Sequence, residues 1–214
     1  MMLVDLSFLD PRRNLDYDDD LLRQAEVAGA SGPECLRFWE SPVHFVVLGR
    51  TGKEAEDVFS EACIRDSIPV LRRSSGGGTV LQGPGCLNFS LVLGKHRDPA
   101  LSGITGSYVY ILGKVVRALN SLGVGAALRP VCDLALAATE QKFSGNAQRR
   151  GRHFILHHGT ILYAFDLGLV SRYLNIPQKM PDYRRGRTHE SFITNINVRP
   201  ADIRTAIAAS FQAP

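Results

Sequence analysis

The chain is short of the features that would place it in several large protein classes. Its 214 residues hold only four cysteines, Cys35, Cys63, Cys86 and Cys132, scattered without a Cys-x-x-Cys pair. Neither a disulfide framework nor a zinc site follows, so no metal ligand set is expected and a reduced, cytoplasmic setting is the default. No stretch approaches the roughly 18 uninterrupted apolar residues of a membrane span, so no membrane partner is expected. The opening Met1-Met2-Leu3-Val4-Asp5 lacks a charged region followed by a long apolar run, so a signal peptide is not expected either. Neither sign of charge dominates, with 25 Lys+Arg against 21 Asp+Glu and a net charge of +4. That balance suits anionic ligands. It does not suit nucleic acid, because no dense Lys/Arg stripe with interleaved aromatics appears. The common phosphate signatures are missing too: no Gly-Lys-Ser/Thr closes a glycine loop, and no glycines stand at first, third and sixth positions.

What is present is concentrated at residues 72–85, Arg-Arg-Ser-Ser-Gly-Gly-Gly-Thr-Val-Leu-Gln-Gly-Pro-Gly. Three consecutive glycines put no side chain between the backbone and an approaching group. They also allow positive φ, so that successive N–H groups can turn inward around an anion. Arg72 and Arg73 add guanidinium forks suited to phosphate or carboxylate oxygens. The segment reads either as an anion cradle or as a glycine-rich hairpin loop.

Hydrophobic periodicity predicts a helix over 15–28 and paired strands over 35–39 and 43–49, around Ser41-Pro42. A helix is expected over 54–66, a short strand at 68–71, and a strand with alternating apolar residues at 87–93. The strongest helix covers 105–122, with Gly123 as its stop. Strands follow at 132–138, 141–145 and 152–164. A helix lies near 166–174, and a last one runs from Pro200 to about Phe211. The whole reads as one α+β domain over 1–214, a mixed β-sheet packed with helices. The run Arg184-Arg185-Gly186-Arg187 beside Tyr183 reads as a solvated loop, or as a basic rim at a cleft mouth that meets phosphate or an acidic acceptor.

A second constellation comprises Gln141-Lys142-Phe143-Ser144-Gly145-Asn146-Ala147-Gln148-Arg149 and Leu156-His157-His158-Gly159-Thr160. Alone, Lys142 would read as a surface lysine, and the histidines as one core and one exposed residue. In order, however, Arg-Arg-x-Ser-Gly-Gly-Gly-Thr-Val, Leu-Asn-Phe, Lys-Phe-Ser-Gly-Asn-Ala-Gln-Arg and His-His-Gly-Thr-Ile-Leu closely resemble the lipoate–protein ligase family, within the biotin/lipoate ligase and octanoyltransferase superfamily. The resemblance implies the biotin/lipoate ligase catalytic-domain fold and an acyl-adenylate site. It places Arg73, Ser75, Gly76, Gly77 and Gly78 along the acyl-phosphate and adenylate. Thr79, Val80 and Leu81 continue that wall, with Asn88 on the adjoining strand. Lys142 takes the family lysine's place against the acyl carbonyl and phosphate, Ser144, Gly145 and Asn146 shape its turn, and His158 and Gly159 close the cleft. The implied cofactors are ATP, lipoate (as a lipoyl-AMP intermediate) and Mg²⁺. The implied partners are lipoyl-domain acceptors, namely 2-oxoacid dehydrogenase E2 subunits and the glycine cleavage H protein.

The superfamily holds two reaction classes, and a cysteine separates them. Ligases use ATP and free lipoate or octanoate, whereas octanoyltransferases pass an acyl group from a thioester through a cysteine. One transferase class carries Pro-Cys where this chain has Pro177-Gln178. Another carries its cysteine upstream of the lysine, which makes Cys132 the candidate nucleophile here. Cys86 is also near the pocket and reads as a packed small residue. Gln82-Gly83-Pro84-Gly85 departs from the usual ligase His-Asp-x-Gly and resembles the transferases. Many ligases add a C-terminal accessory domain for which this sequence has no room, so either a separate partner chain or transfer alone is implied. Biotin ligase, whose Gly-Arg-Gly-Arg stretch is missing, and a non-catalytic binder of lipoyl domains rank below both.

Overall fold

The computed structural model describes residues 1–212. In chain order the strands are β1 (Met2–Asp5), β2 (Cys35–Trp39), β3 (Phe45–Leu48), β4 (Val70–Arg72), β5 (Val80–Gln82), β6 (Cys86–Gly94), β7 (Ala126–Arg129), β8 (Asp133–Leu136), β9 (Lys142–Ser144), β10 (Asn146–Arg150) and β11 (Phe154–Leu162). The α-helices are α1 (Pro11–Val27), α2 (Glu54–Asp57), α3 (Ser60–Arg65), α4 (Ile104–Asn120), α5 (Gly168–Tyr173), α6 (His189–Phe192) and α7 (Pro200–Gln212). The architecture is α+β, as the sequence implies.

A five-stranded mixed sheet in the order β1-β2-β6-β11-β10 forms the centre. β1 runs parallel to β2, and the remaining pairs are antiparallel. Helices cover both faces. On one, α4 and α7 bring Ile111, Leu112, Val115, Leu119, Ile203, Ile207 and Phe211 onto Leu36, Phe38, Phe89, Leu91 and Ile155. On the other, Leu21, Leu22 and Ala25 of α1 meet Cys35, Val92, Phe154 and Leu156. Double coverage explains why every residue of β2 and β6 is buried, the polar Arg37, Asn88 and Ser90 included.

Two three-stranded sheets, β4-β3-β5 and β7-β8-β9, flank the central one. The expected pairing of β2 with β3 does not occur. β3 lies parallel to β4 and antiparallel to β5, while β2 belongs to the large sheet. The Ser41-Pro42 stretch, where Ser41 Oγ donates to Val43 O at 2.7 Å, carries the chain from one sheet to the other. The helix expected over 54–66 is likewise two short helices. Between them Val58 is buried and bridges Leu174, and the Phe59 N–H donates to Tyr173 O, so tertiary pairing overrides the helical pattern. Helix α1 starts earlier than its apolar stripe suggests, because Asp10 caps it through the Arg12 N–H and Pro11 occupies its first turn.

Candidate functional site

The Gly-rich segment is a braced loop with a bare tip. Between β4 and β5, Arg73 turns back on its own chain. Its Nε donates to Ser75 Oγ (3.1 Å) and Gly76 O (3.2 Å), its Nη2 to Gly76 O (2.7 Å) and Gly78 O (2.8 Å), and its Nη1 to Val47 O (3.3 Å). Burial lowers the Arg73 pKa to about 10, which still leaves a cation at neutral pH. Neighbouring residues tie the two shoulders down. Arg72 donates to the carbonyls of Gly49 and Gly52, each at 2.8 Å. Ser74 Oγ donates to Asp19 at 2.5 Å, and Thr79 Oγ1 donates to Asp57 at 2.6 Å. Gly77 has φ +89°, and a Cβ there would stand 2.9 Å from the Arg73 guanidinium. At Gly76 and Gly78 a Cβ would meet nothing within 4 Å. Among the described residues, no protein acceptor takes the N–H groups of Gly76, Gly77 and Gly78. The Gly76 and Gly78 carbonyls are turned to Arg73 and the tip's amides are left for an outside partner, the arrangement that suits an anion.

Residues 142–150 pass from one sheet to another. Lys142–Ser144 lies in the small sheet as β9, and Asn146 begins β10 of the central sheet. Gly145 is the pivot: its carbonyl accepts from the Thr160 N–H at 3.1 Å, and its N–H reaches Thr160 Oγ1 at 3.5 Å. A Cβ on Gly145 would stand 3.2 Å from Lys142 Nζ, so the lysine lies along this glycine. Lys142 Nζ pairs with Asp133 Oδ1 at 2.7 Å, and Tyr183 donates its hydroxyl to Asp133 Oδ2 at 2.7 Å. Asn146, nearly buried, donates to Cys132 O (2.8 Å) and Ser144 Oγ (3.1 Å). Its Oδ1 lies 3.3 Å from His157 Nε2, and Gln148 Nε2 lies 3.2 Å from His157 Nδ1. That pattern is satisfied by a neutral ring donating from Nε2. Burial agrees, lowering the His157 pKa to about 3.

The two constellations meet across β10 and β11. His158 Nε2 is 2.6 Å from Ser75 Oγ, joining the central sheet to the loop. Burial first, then the Arg73 charge, holds His158 neutral with a pKa of about 3. The Cβ that Gly77 lacks would come within 3.6 Å of Ala147 Cβ. Cys132 feels the charge of both Arg73 and Lys142. Of the two histidines, His157 is the core residue and His158 the half-buried one at the loop.

Other expected residues take different places. Leu81 points into the apolar cluster of Val46, Leu48 and Val58, whereas Val80 faces Trp39, Phe45 and Val47 on the opposite side of the small sheet. Gly159 is a packing position, where a Cβ would stand 1.9 Å from Asn146 Oδ1 and 2.7 Å from the Phe89 ring. Asn88 is buried between Trp39 and Thr160 in register. The departure at 82–86 is a structural turn. The Gly85 N–H donates to Glu40 at 2.7 Å, and a Cβ on Gly85 would lie 2.3 Å from Ala164 O.

Arg184 and Arg187 are directed inward, Arg184 donating to Arg187 O and Arg187 to Glu140 O, while Arg185 pairs with Glu140. Their segment does flank the Lys142 hairpin, through Tyr183 and through the Thr194 N–H on Lys142 O at 2.9 Å. Sequence reading assigned no role to Asp133, Tyr183, Asp19, Asp57 or Thr160. Tyr183 stands beside the basic run and Thr160 ends the His-His-Gly-Thr motif, whereas Asp19 and Asp57 give no local signal.

The cysteines are not poised as nucleophiles. Cys132 Sγ donates to Asn146 O at 2.9 Å, and burial followed by the Asp133 charge pushes its thiol pKa up. Cys86 is fully buried and its thiol is pushed up further.

Residues 10–212 match the family described as the lipoyl protein ligase A/B catalytic domain. The Mycoplasma pneumoniae protein named "Probable lipoate-protein ligase A" is 32% identical over 141 residues, 66% of this chain and 40% of that protein. The chain thus spans less than half the length of the curated relatives it matches. A Thermoplasma acidophilum structure described as a bi-partite lipoate protein ligase with its E2 lipoyl domain superposes with a TM-score of 0.83 at 25% identity, covering 98% of this chain and 81% of that one. A second T. acidophilum structure, with bound lipoic acid, gives 0.80 at 25% identity over 98% and 83%. A lipoate-protein ligase A bound with ATP gives 0.81, also at 25% and with the same coverage. The chain belongs to the lipoyl protein ligase A/B catalytic-domain family.

Proposed function

We propose that residues 1–214 act as one catalytic domain of a lipoate–protein ligase, joining lipoate or octanoate to AMP and passing the acyl group to a lysine of a lipoyl domain. The observation that carries this reading is the bare, Arg73-braced tip at Gly76–Gly78, joined through Ser75 and His158 to the strands that present Lys142. The solved relatives with lipoic acid, with ATP and with an E2 lipoyl domain support the same ligands and acceptor class.

In the first half-reaction a carboxylate oxygen attacks the α-phosphorus of ATP and pyrophosphate leaves. Two anions must approach each other, and the Lys142 ammonium with the free glycine amides offsets their repulsion. Arg73 acts mainly by holding those amides outward, since its own donors serve the loop carbonyls. Among the described residues no three His, Cys, Asp or Glu converge as a metal site. A Mg²⁺ on the phosphates of ATP would supply charge neutralisation for the departing pyrophosphate. In the second half-reaction the acceptor lysine nitrogen attacks the mixed-anhydride carbonyl, AMP leaves, and Lys142 stabilises the negative charge that builds on the carbonyl oxygen. Ser144, Gly145, Asn146 and Thr160 set the lysine's turn.

The raised, hydrogen-bonded thiol of Cys132 favours this route over a cysteine thioester. Incubation with ATP, Mg²⁺, lipoate and a lipoyl domain, with and without an added accessory domain, should lipoylate the acceptor, and Cys132→Ser should retain activity. Acyl transfer from an octanoyl carrier protein without ATP, abolished by Cys132→Ser, would overturn the assignment.

A further inference from the structure

Lys142 is paired within the chain itself. Its Nζ lies 2.7 Å from Asp133 Oδ1, in a pocket where the two side chains are only 26% and 12% exposed. Asp133 is in turn held from its far side, by the Tyr183 hydroxyl at 2.7 Å from Oδ2. The three residues come from three segments: the first residue of β8, the first residue of β9, and the connection between α5 and α6. That connection is fastened to the hairpin it covers. Arg187 donates to Glu140 O at 3.0 Å and to Tyr183 O at 2.9 Å, and the main chain beyond α6 bonds to Lys142 itself, through the Thr194 N–H on Lys142 O. The Tyr183 ring is tilted against Phe192, with centroids 5.3 Å apart, and the Arg184 and Arg187 guanidinium groups lie over that Phe192 ring. The phenol therefore has little freedom to leave the carboxylate. Burial and the Asp133 charge push the Tyr183 pKa upward, which keeps its proton available for donation.

A lysine held in this way cannot serve an anionic ligand without first giving up its counter-ion. Resting on the ligase reading, we propose that Asp133 and Tyr183 are positioning residues forming a latch on Lys142: Asp133 neutralises and orients the ammonium, Tyr183 pins that carboxylate, and an incoming acyl-phosphate takes the lysine over. Tyr183 thereby links the segment covering the β8–β9 hairpin to the state of the reacting lysine. The ion pair covers Nζ, so the latch suppresses the access of activated acyl groups to Lys142.

Trace acetylation of the full, ligand-free chain with acetic anhydride tests this. Mass spectrometry would read Lys142 modification relative to the exposed Lys179. Asp133→Asn is expected to raise relative Lys142 labelling by about two- to fivefold, as Nζ loses the carboxylate that covers it. Tyr183→Phe should raise it in the same direction by about two- to threefold, with Asp133→Glu staying near the wild type. A general loosening of the fold would also raise labelling of the half-buried Lys114, whose Nζ donates to Ser210 O at 3.2 Å. Unchanged or lower Lys142 labelling in Tyr183→Phe overturns the pinning role, and the same result in Asp133→Asn overturns the latch. If Tyr183→Phe does not fold, the two Asp133 variants decide the matter. The labelling needs no turnover, so its failure alongside normal lipoylation removes only the latch. Failed lipoylation by the wild type with the accessory domain present removes the ligase reading instead.

Discussion

Lys142 shows how a residue common on any surface becomes specific through its surroundings. Its aliphatic stem lies on Gly145, where even a methyl group would crowd it, and its ammonium is matched to Asp133. Exposed ion pairs contribute little, but here the partial burial and the pinned carboxylate fix one geometry. Removing the charge should therefore affect chemistry more than folding. Lys142→Ala is expected to lose about 2.7–4 kcal/mol of transition-state stabilisation, or roughly 10²–10³ in turnover, while the fold survives. Near-normal single-turnover transfer by a folded Lys142→Ala variant would remove it from the mechanism. The motif at 141–149 was legible in the sequence because its residues are contiguous. Asp133 and Tyr183 were not, since fifty positions separate them and only the folded chain makes them neighbours.

At the scale of elements, the longest patterns held, and the missed strands lie just after glycines. Helix α4 and strand β6 were legible because each carries a long apolar repeat facing a covered sheet. Strands β5 and β10 were missed as separate units. β5 has three residues directly after the glycines, and β10 continues from β9 through a single glycine. The partners of β2 and β3 were also misjudged, because two buried apolar runs do not say which sheet each joins. The Gly-rich loop is the element on which the site depends, and Arg73 is its brace. Lysine at 73 keeps the charge but loses the planar fork that reaches Ser75, Gly76 and Gly78 together. Arg73→Lys is expected to weaken adenylate affinity at least about tenfold, with a loss of stability of about 1–3 kcal/mol for the orphaned carbonyls. Calorimetric titration with a non-hydrolysable acyl-adenylate, paired with a melting curve, reads both. Wild-type affinity would show that charge alone suffices at this position.

For the whole molecule, the buried imidazole of His157 sets a pH dependence. In the unfolded chain a histidine titrates near 6.5, whereas the folded His157 pKa is about 3. Between those values the unfolded state binds more protons, so stability is full above about pH 6.5 and is lost as pH falls below it. The loss approaches about 1.4 kcal/mol per pH unit, and His158 adds in the same direction. Tm should drop from pH 7 to pH 5, and His157→Gln should flatten that slope. An unchanged slope would mean that His157 is not the residue responsible.

The central claim is that this chain handles an acyl group on AMP, through Lys142 and without a covalent enzyme intermediate. The most direct measurement supplies synthetic lipoyl-adenylate and a lipoyl domain, omits ATP, and follows both proteins by intact mass spectrometry. Transfer to the lipoyl-domain lysine, lost in Lys142→Ala and unaffected by Cys132→Ser, with no acyl adduct on the chain, is the predicted result. A thioester on Cys132, or no consumption of the adenylate by the wild type, would contradict the account.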